Sequence, residues 1–138
     1  MLPKEKGLGR GMVFLVSLFL SLCPLLLDCR ADDRVQVDPR SKITFSLEKL
    51  DESGLYGSPD GLRALNYEFC IPGDSQHEAE VRQIDPTIQI SKTSPGRVGC
   101  TEGEYLCVGH THQPDFRMVL FRLVNLSYVK RIDQAFFE

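Results

Sequence analysis

A basic segment, an apolar run and a small-residue cleavage site follow one another at the start of this chain. Residues 4–10 carry two lysines and one arginine, and residues 12–27 are predominantly apolar. Cys29-Arg30-Ala31 then places small residues at the −3 and −1 positions expected of a cleavage site. The apolar run is shorter than the roughly 20 residues of a comfortable bilayer span. Residues 1–31 are therefore predicted to be a signal peptide, with an uncleaved membrane anchor as the alternative.

Removal of this segment leaves a short, mildly acidic chain. Of the 138 residues, 107 remain, which is the size of one domain with a modest core. The net charge of the whole chain is −3, and residues 1–31 hold four basic and two acidic side chains, so the remainder carries −5. An acidic domain without a basic stripe excludes nucleic acid as the expected partner. Contact with a membrane is expected only through an uncleaved signal segment.

The exported part divides into a polar leader and one patterned domain. Residues 32–41 are polar and unpatterned, which predicts a flexible leader. Residues 42–138 are expected to form a single α+β domain. Its first segment, Lys42 to Leu50, alternates apolar and polar side chains, which predicts a half-buried strand.

From residue 64 onward, the apolar spacing alternates between the period of a strand and that of a helix. Ser75 to Glu78 matches a capping box at a helix start, and Pro114 suits the first position of a second helix. Leu65, Tyr67 and Phe69 are expected on one face of their strand. The predicted elements are strands at residues 64–71, 87–91, 105–109 and 128–137, and helices at residues 75–84 and from residue 114, with a core-facing stripe of Phe116, Val119, Leu120 and Leu123.

This order of elements predicts a known architecture. Strand, helix, strand, strand, helix, strand is the ferredoxin-like βαββαβ sandwich, an antiparallel sheet with two helices on one face. Its strands lie in the spatial order 4-1-3-2, so residues 64–71 should neighbour residues 105–109. The strand at residues 42–50 is an additional N-terminal one, and the second face of the sheet is expected to be open.

Export also determines whether the cysteines are expected to form disulfide bonds. Cys70, Cys100 and Cys107 follow the signal peptide, and in an oxidising compartment these three allow one internal disulfide bond. Strand alternation places Cys70 and Cys107 on the face away from the helices, which favours a Cys70–Cys107 bond. Cys100–Cys107, which closes a short loop, and Cys70–Cys100 remain alternatives.

His110-Thr-His112 is the segment most like a metal site. Side chains two apart on an extended chain point the same way, so both imidazoles could reach one zinc or copper ion, with Cys107 or Cys100 nearby. The spacing matches neither CxxC nor HxxxH, and an oxidised cysteine is no ligand. The alternative interpretation is that His110 and His112 are loop residues before the second helix. The sequence contains no coherent catalytic set, so an enzyme is not the favoured interpretation.

Four segments together resemble a group of bacterial proteins. They are Tyr67-Glu-Phe-Cys-Ile-Pro72, Gly96-Arg-Val-Gly-Cys100, Gly109-His-Thr-His-Gln-Pro114 and the C-terminal residues 128–138. Over most of the chain after the signal peptide, this pattern resembles small uncharacterised exported proteins of cyanobacteria. The resemblance implies a periplasmic or thylakoid-lumen location, and it assigns no activity or cofactor.

These observations predict a non-catalytic protein-binding or accessory module in the periplasm, thylakoid lumen or extracellular space. Its expected partner is another exported protein. The alternative is a metal-binding or thiol-redox protein that uses His110, His112 and the cysteines.

Overall fold

The computed structural model describes residues 37–137, so the predicted signal peptide and the first residues of the leader lie outside it. The described part is an α+β domain, as the sequence predicts. Its helices are Ser75–Ile84 (α1) and Phe116–Val124 (α2), and its strands are Leu55–Tyr56 (β1), Arg63–Ala64 (β2), Asn66–Pro72 (β3), Gln89–Ser91 (β4), Glu104–His110 (β5) and Asp133–Ala135 (β6). Neither α1 nor α2 could cross a membrane, and residues 37–137 contain no other helix that could.

The strands form one four-stranded sheet and one short hairpin. The sheet is antiparallel with the order β4-β5-β3-β6, while β1 pairs only with β2. In the central pair, the register runs from Asn66 opposite His110 to Pro72 opposite Glu104. The short strands β4 and β6 are therefore the two edges of the sheet.

The core lies between one face of the sheet and the two helices. Leu65, Tyr67 and Phe69 are buried on that face, as predicted, and α1 adds Val81 and Ile84. From α2, the predicted stripe contributes the buried residues Phe116, Leu120 and Leu123, and Val119 is partly buried against the same cluster. The apolar stripe of α2 therefore packs on the core, as its spacing indicates.

Both helices begin differently from the prediction. The N-cap of α1 is Asp74, whose carboxylate accepts hydrogen bonds from the backbone N–H groups of Gln76 and His77. The capping box at Ser75 is therefore wrong, because a carboxylate one residue earlier already satisfies these donors. The second helix begins at Phe116 and not at Pro114, because its N-cap, Asp115, has a left-handed backbone with φ of 52°.

The predicted strand at residues 42–50 is wrong. The structure has 3-10 helices at Pro39–Lys42 and Leu47–Lys49, with a single parallel bridge between Ile43 and Ile132. Ile43, Phe45 and Leu47 nevertheless pack against the core. The alternating pattern thus reflects burial of every second side chain and not pairing in a sheet.

Two further differences concern the ends of strands. The predicted final strand at residues 128–137 is shortened to Asp133–Ala135. Residues 51–63, for which the sequence predicts no strand or helix, contain most of the β1–β2 hairpin. Each of these strands has only two or three residues, too few for an alternating pattern to be recognised.

The cysteine pairing differs from the favoured prediction. Cys70 is bonded to Cys100, with a Cα–Cα distance of 5.5 Å, and Cys107 is a free, buried thiol. Cys107 lies opposite Phe69, and directly opposed side chains share a face, so it points toward the helices. Leu106 lies opposite Cys70 on the other face. Cys70–Cys107 is therefore wrong because the two side chains project from opposite faces of the sheet.

The second face of the sheet is not open at its centre, contrary to expectation. Residues 92–103, here called the disulfide loop, cross it. The backbone N–H of Val98 donates to the carboxylate of Glu68, and Arg131 donates to the Val98 carbonyl at 2.9 Å. Gly96 approaches Leu106 so closely that a Cβ atom there would lie 2.6 Å from a Leu106 methyl carbon. Because this loop buries Leu106, β5 is apolar on both faces. The alternation of apolar and polar residues therefore could not show which face of the sheet Cys107 occupies.

Candidate functional site

The histidines singled out in the sequence do not form a cluster with the cysteines. His110 ends β5, and the Nδ1 atom of His112 lies 3.0 Å from the carbonyl oxygen of Ser53. Cys100 is in a disulfide, and Cys107 is buried under the helices. Within residues 37–137, no three His, Cys, Asp or Glu side chains are placed to hold one metal ion. Metal binding by His110 and His112 stays a prediction.

The outer edge of β6 has an unpaired backbone position. The N–H of Ile132 donates to the Lys42 carbonyl at 2.8 Å, and the Ile132 carbonyl accepts from the N–H of Thr44 at 3.1 Å. Ile132 therefore directs its backbone groups away from β3. Successive residues of a strand direct theirs to opposite sides, so Gln134 also points outward. In the described part of the chain, the backbone N–H and C=O of Gln134 have no partner.

A groove of about 560 Å³ adjoins this edge. It lies between β6, β1 and the segment at residues 44–50. Its apolar lining consists of Phe45, Leu50, Tyr56, Leu65 and Phe136, and its polar lining of Thr44, Ser46, Lys49, Asp133 and Gln134. The side chain of Phe136 is 56% exposed. An exposed aromatic ring and an unpaired strand edge are thus side by side.

Contacts with α2 and the residues just after it hold the groove wall at residues 44–50, and the chain just before it, in place. Arg117 of α2 donates to the carbonyls of Leu47 and Leu50 at 3.1 and 2.9 Å. The ammonium group of Lys42 donates to two carbonyls at the C-terminal end of α2, those of Val124 and Leu126. Thr44 is the last residue of this segment that bonds to the β6 edge, and the groove opens where the two separate.

Two charged side chains line the groove, Asp133 and Lys49, and of these only Asp133 has an ion-pair partner among the described residues. The carboxylate of Asp133 is engaged by Arg131 at 3.0 Å and by the Thr44 hydroxyl at 3.0 Å. Lys49 is exposed and forms no ion pair with any residue between 37 and 137. An occupant with a carboxylate near Lys49 would meet a free cation.

The opposite edge of the sheet, at β4, has different surroundings. Gln89 and Ser91 point toward β5, so the backbone groups of Ile90 face outward. Arg82 donates to the adjacent carbonyl of Ile88 at 3.2 Å. Glu78 pairs with both Arg82 and Lys92, at 3.1 and 3.4 Å. Charged side chains on an edge strand discourage pairing with another chain.

A polar network centred on two buried residues, Tyr67 and Asp85, joins β3 to the segment between α1 and β4. The hydroxyl of Tyr67 donates to the carboxylate of Asp85 at 2.8 Å, and the amide of Gln113 donates to the same oxygen at 3.2 Å. The other oxygen accepts from the N–H and the hydroxyl of Thr87, at 2.9 and 2.6 Å. Burial, with the nearby Asp85 carboxylate, raises the pKa of Tyr67 far above its usual value. Since Tyr67 and Asp85 are buried and every member is hydrogen-bonded, we interpret the network as structural.

Cys107 has the environment of a core residue. It is fully buried, and burial raises the pKa of its thiol to about 12. The thiolate is the nucleophilic form, so this cysteine is unsuited to thiol chemistry in the folded protein.

Neither the groove nor the role of Asp85 is predicted from the sequence. The groove depends on the departure of residues 44–50 from β6, which the false strand prediction conceals. The sequence holds one signal of an exposed aromatic residue. Phe136 and Phe137 are successive, and successive side chains of a strand point to opposite faces, so at least one of the two points away from the core. Asp85 had no sequence signal, since its role depends on Tyr67 across the fold.

Comparison with known proteins adds no relative: no family model matches the chain, and no curated protein or solved structure is significantly similar to it.

Proposed function

We propose that this domain is a non-catalytic binding module that takes up an extended segment of another exported protein along the outer edge of β6. The observation that carries the proposal is the unpaired, outward backbone of Gln134 beside an aromatic groove. A bound segment adds a strand to the sheet, and its alternate side chains enter the groove.

The size and chemistry of the groove support such a ligand. Its volume of about 560 Å³ lies within the range of roughly 300–1,000 Å³ that is typical of binding clefts. Each apolar side chain buried there contributes about 1.5–3 kcal/mol, and each backbone hydrogen bond about 1 kcal/mol. Because association itself costs several kcal/mol, a few such contacts give micromolar affinity.

The groove also indicates what the segment contains. Phe45, Tyr56 and Phe136 favour apolar or aromatic side chains at every second position. Lys49 favours a carboxylate, either an acidic side chain or a chain terminus. The expected partner is therefore an extended segment with alternating apolar residues and one negative charge.

The finer fold assignment and the location belong to the same proposal. Supporting the ferredoxin-like arrangement, the strands counted from β3 lie in the order 4-1-3-2, and both helices join the core on one face. The Cys70–Cys100 bond supports an oxidising compartment. Export through residues 1–31 and the resemblance to cyanobacterial exported proteins remain expectations.

Selection of peptide ligands from a displayed random library tests the proposal. Affinities of selected peptides are then measured by fluorescence anisotropy for the native protein, Phe136→Ala and Phe137→Ala. Phe136 lines the groove, whereas Phe137 is exposed and does not line it, which makes Phe137→Ala a matched control. We expect Phe136→Ala to weaken binding about tenfold and Phe137→Ala less than about twofold. Equal losses in both variants, or no selectable peptide, would contradict the proposal.

A second pair of variants separates backbone pairing from side-chain contact. Gln134→Pro removes the outward N–H without removing a hydrogen bond to β3, whereas Gln134→Ala keeps the N–H. We expect the proline variant to lose binding and the alanine variant to retain it. Retained binding in a folded Gln134→Pro variant would exclude strand addition.

A further inference from the structure

The Cys70–Cys100 disulfide is accessible from the surface. Both residues are partly exposed, in contrast to the fully buried Cys107. Cys70 contributes to a cavity of about 160 Å³, whose other lining residues are Val98, Gly99, Thr101, Glu104, Lys130 and Arg131. A small molecule can therefore reach the bond without unfolding the core.

The two sulfur atoms have different electrostatic surroundings. The cavity at Cys70 has two cations, Lys130 and Arg131, and one carboxylate, Glu104. Arg131 also pairs with Asp133 at 3.0 Å, outside the cavity lining. Cys100 lies in a separate depression that holds Lys92 but also Glu102 and Glu104. Lys130 pairs with Glu104 at 3.3 Å but is 82% exposed, so this surface pair is weak and its ammonium group can meet an arriving anion. An anionic reagent is thus favoured on the side of Cys70.

We propose that this disulfide is an exchange site for small thiols that carry a carboxylate. The thiolate of the small thiol attacks the sulfur of Cys70, and a mixed disulfide forms there as the Cys70–Cys100 bond breaks. The electron pair leaves on the sulfur of Cys100, which then takes a proton from solvent. The small thiol is oxidised to the disulfide level, and Cys100 is reduced. The carboxylate binds at Lys130 and Arg131.

The loop can accommodate this reaction while the sheet stays intact. Gly96, Gly99 and Gly103 in the disulfide loop have φ values of 61°, 79° and 84°, conformations that glycine adopts without strain. Val98 remains attached to Glu68 and Arg131, so exchange frees the Cys100 end of the loop alone. Cys107 lies on the opposite face and cannot resolve the mixed disulfide. Attack of the Cys100 thiolate on the sulfur of Cys70 re-forms the Cys70–Cys100 bond and releases the small thiol, so the exchange is reversible.

Reaction of the purified folded protein with two thiols tests this inference, which does not depend on the peptide groove. The probes are 3-mercaptopropionate, which is anionic, and 2-mercaptoethanol, which is neutral, compared at equal thiolate concentration. Intact-mass spectrometry and peptide mapping follow the adduct. At low salt we expect the anionic thiol to react about threefold faster, with the adduct on Cys70, and high salt to abolish the preference.

The matched variants are Lys130→Ala and Lys92→Ala. Both residues are exposed lysines near the disulfide, but only Lys130 lines the cavity at Cys70. Lys130→Ala should lose most of the preference and Lys92→Ala should keep it. Equal rates for the two thiols in the native protein, an adduct on Cys100, or reduction only when Cys107 becomes reactive as well would each overturn the inference.

Discussion

The two edges of the sheet have the same backbone geometry but opposite surroundings. Ile90 in β4 and Gln134 in β6 each direct one N–H and one C=O outward. Beside Ile90, Arg82 bonds to the neighbouring carbonyl and an ion-paired group of charges surrounds the strand. Beside Gln134, an aromatic groove opens.

This difference separates an edge protected from pairing from one suited to it. Exposed edges invite aggregation, and proteins commonly cover them with charged side chains. The β4 edge follows that rule, while the β6 edge combines the Arg131–Asp133 pair with an apolar groove beside Gln134. The proposed ligand binding rests on this apolar groove beside an unpaired edge. The predictions below test each half of this comparison.

The largest effect is expected for labelling of Cys107 by iodoacetamide. This thiol lies opposite Ile90 of β4, so its reactivity reports opening of that edge. Burial and a pKa raised to about 12 should slow labelling at least about a thousandfold relative to the urea-unfolded protein. Mass spectrometry over time measures both rates. Comparable rates in the two states would show that the β4 side opens readily.

A large loss of stability is expected for Asp85→Ala, which removes the network between Tyr67 and Thr87. The variant leaves the Tyr67 hydroxyl buried without its partner, at a cost of about 3 kcal/mol in the free energy of unfolding. Urea denaturation measures this value. Asp60→Ala, at an exposed loop carboxylate, is the control and should change stability by less than about 0.5 kcal/mol. A similar small change for both would show that the network does not stabilise the fold.

At the β6 side, the exposed aromatic residue of the groove, Phe136, should contribute little to the free energy of unfolding. Phe136→Ala is expected to change the free energy of unfolding by less than about 0.5 kcal/mol, since the side chain is largely exposed. Ile132→Ala, four residues earlier at a fully buried position, should cost about 3 kcal/mol. Urea denaturation compares them. A Phe136→Ala loss as large as that of Ile132→Ala would make the ring a core residue and weaken the proposed binding role.

The smallest effect concerns pH. The hydrogen bond from Arg82 lowers the pKa of Glu78 below its usual value of 4.5. A carboxylate with a depressed pKa contributes stability above its unfolded pKa and loses it as pH falls through the folded one. Glu78→Gln should therefore flatten the loss of stability on acidification below about pH 4.5. Glu102→Gln, at an exposed position, is the control and should keep the native slope; identical slopes in both variants would contradict the role of Glu78.

Side-chain periodicity predicted the parts of the fold that bury one face. Tyr67 and Phe69 in β3, and Leu120 and Leu123 in α2, are where their spacing places them. It failed where burial has another cause. Residues 42–50 alternate because every second side chain packs on the core, although only Ile43 forms a bridge and no strand results. Leu106 is apolar because the disulfide loop covers it.

The candidate site could not be predicted from the sequence for a related reason. Its key atoms are the backbone N–H and C=O of Gln134. Every residue except proline carries the same two groups, so the sequence alone does not show which of them lack a partner. The groove beside it joins Phe45, Tyr56 and Phe136, which are far apart along the chain. The cysteine pairing likewise depended on which face Cys107 occupies, and apolar residues on both faces of β5 removed that signal.

The most direct test is amide hydrogen exchange at Gln134 and Ile90, measured by NMR with and without a selected peptide at saturation. Both N–H groups point outward, so both should exchange rapidly in the free protein. We expect the peptide to slow exchange at Gln134 at least about tenfold and to leave Ile90 unchanged. Unchanged exchange at Gln134 with the peptide bound, or slowing at Ile90 instead, would contradict strand addition at the β6 edge.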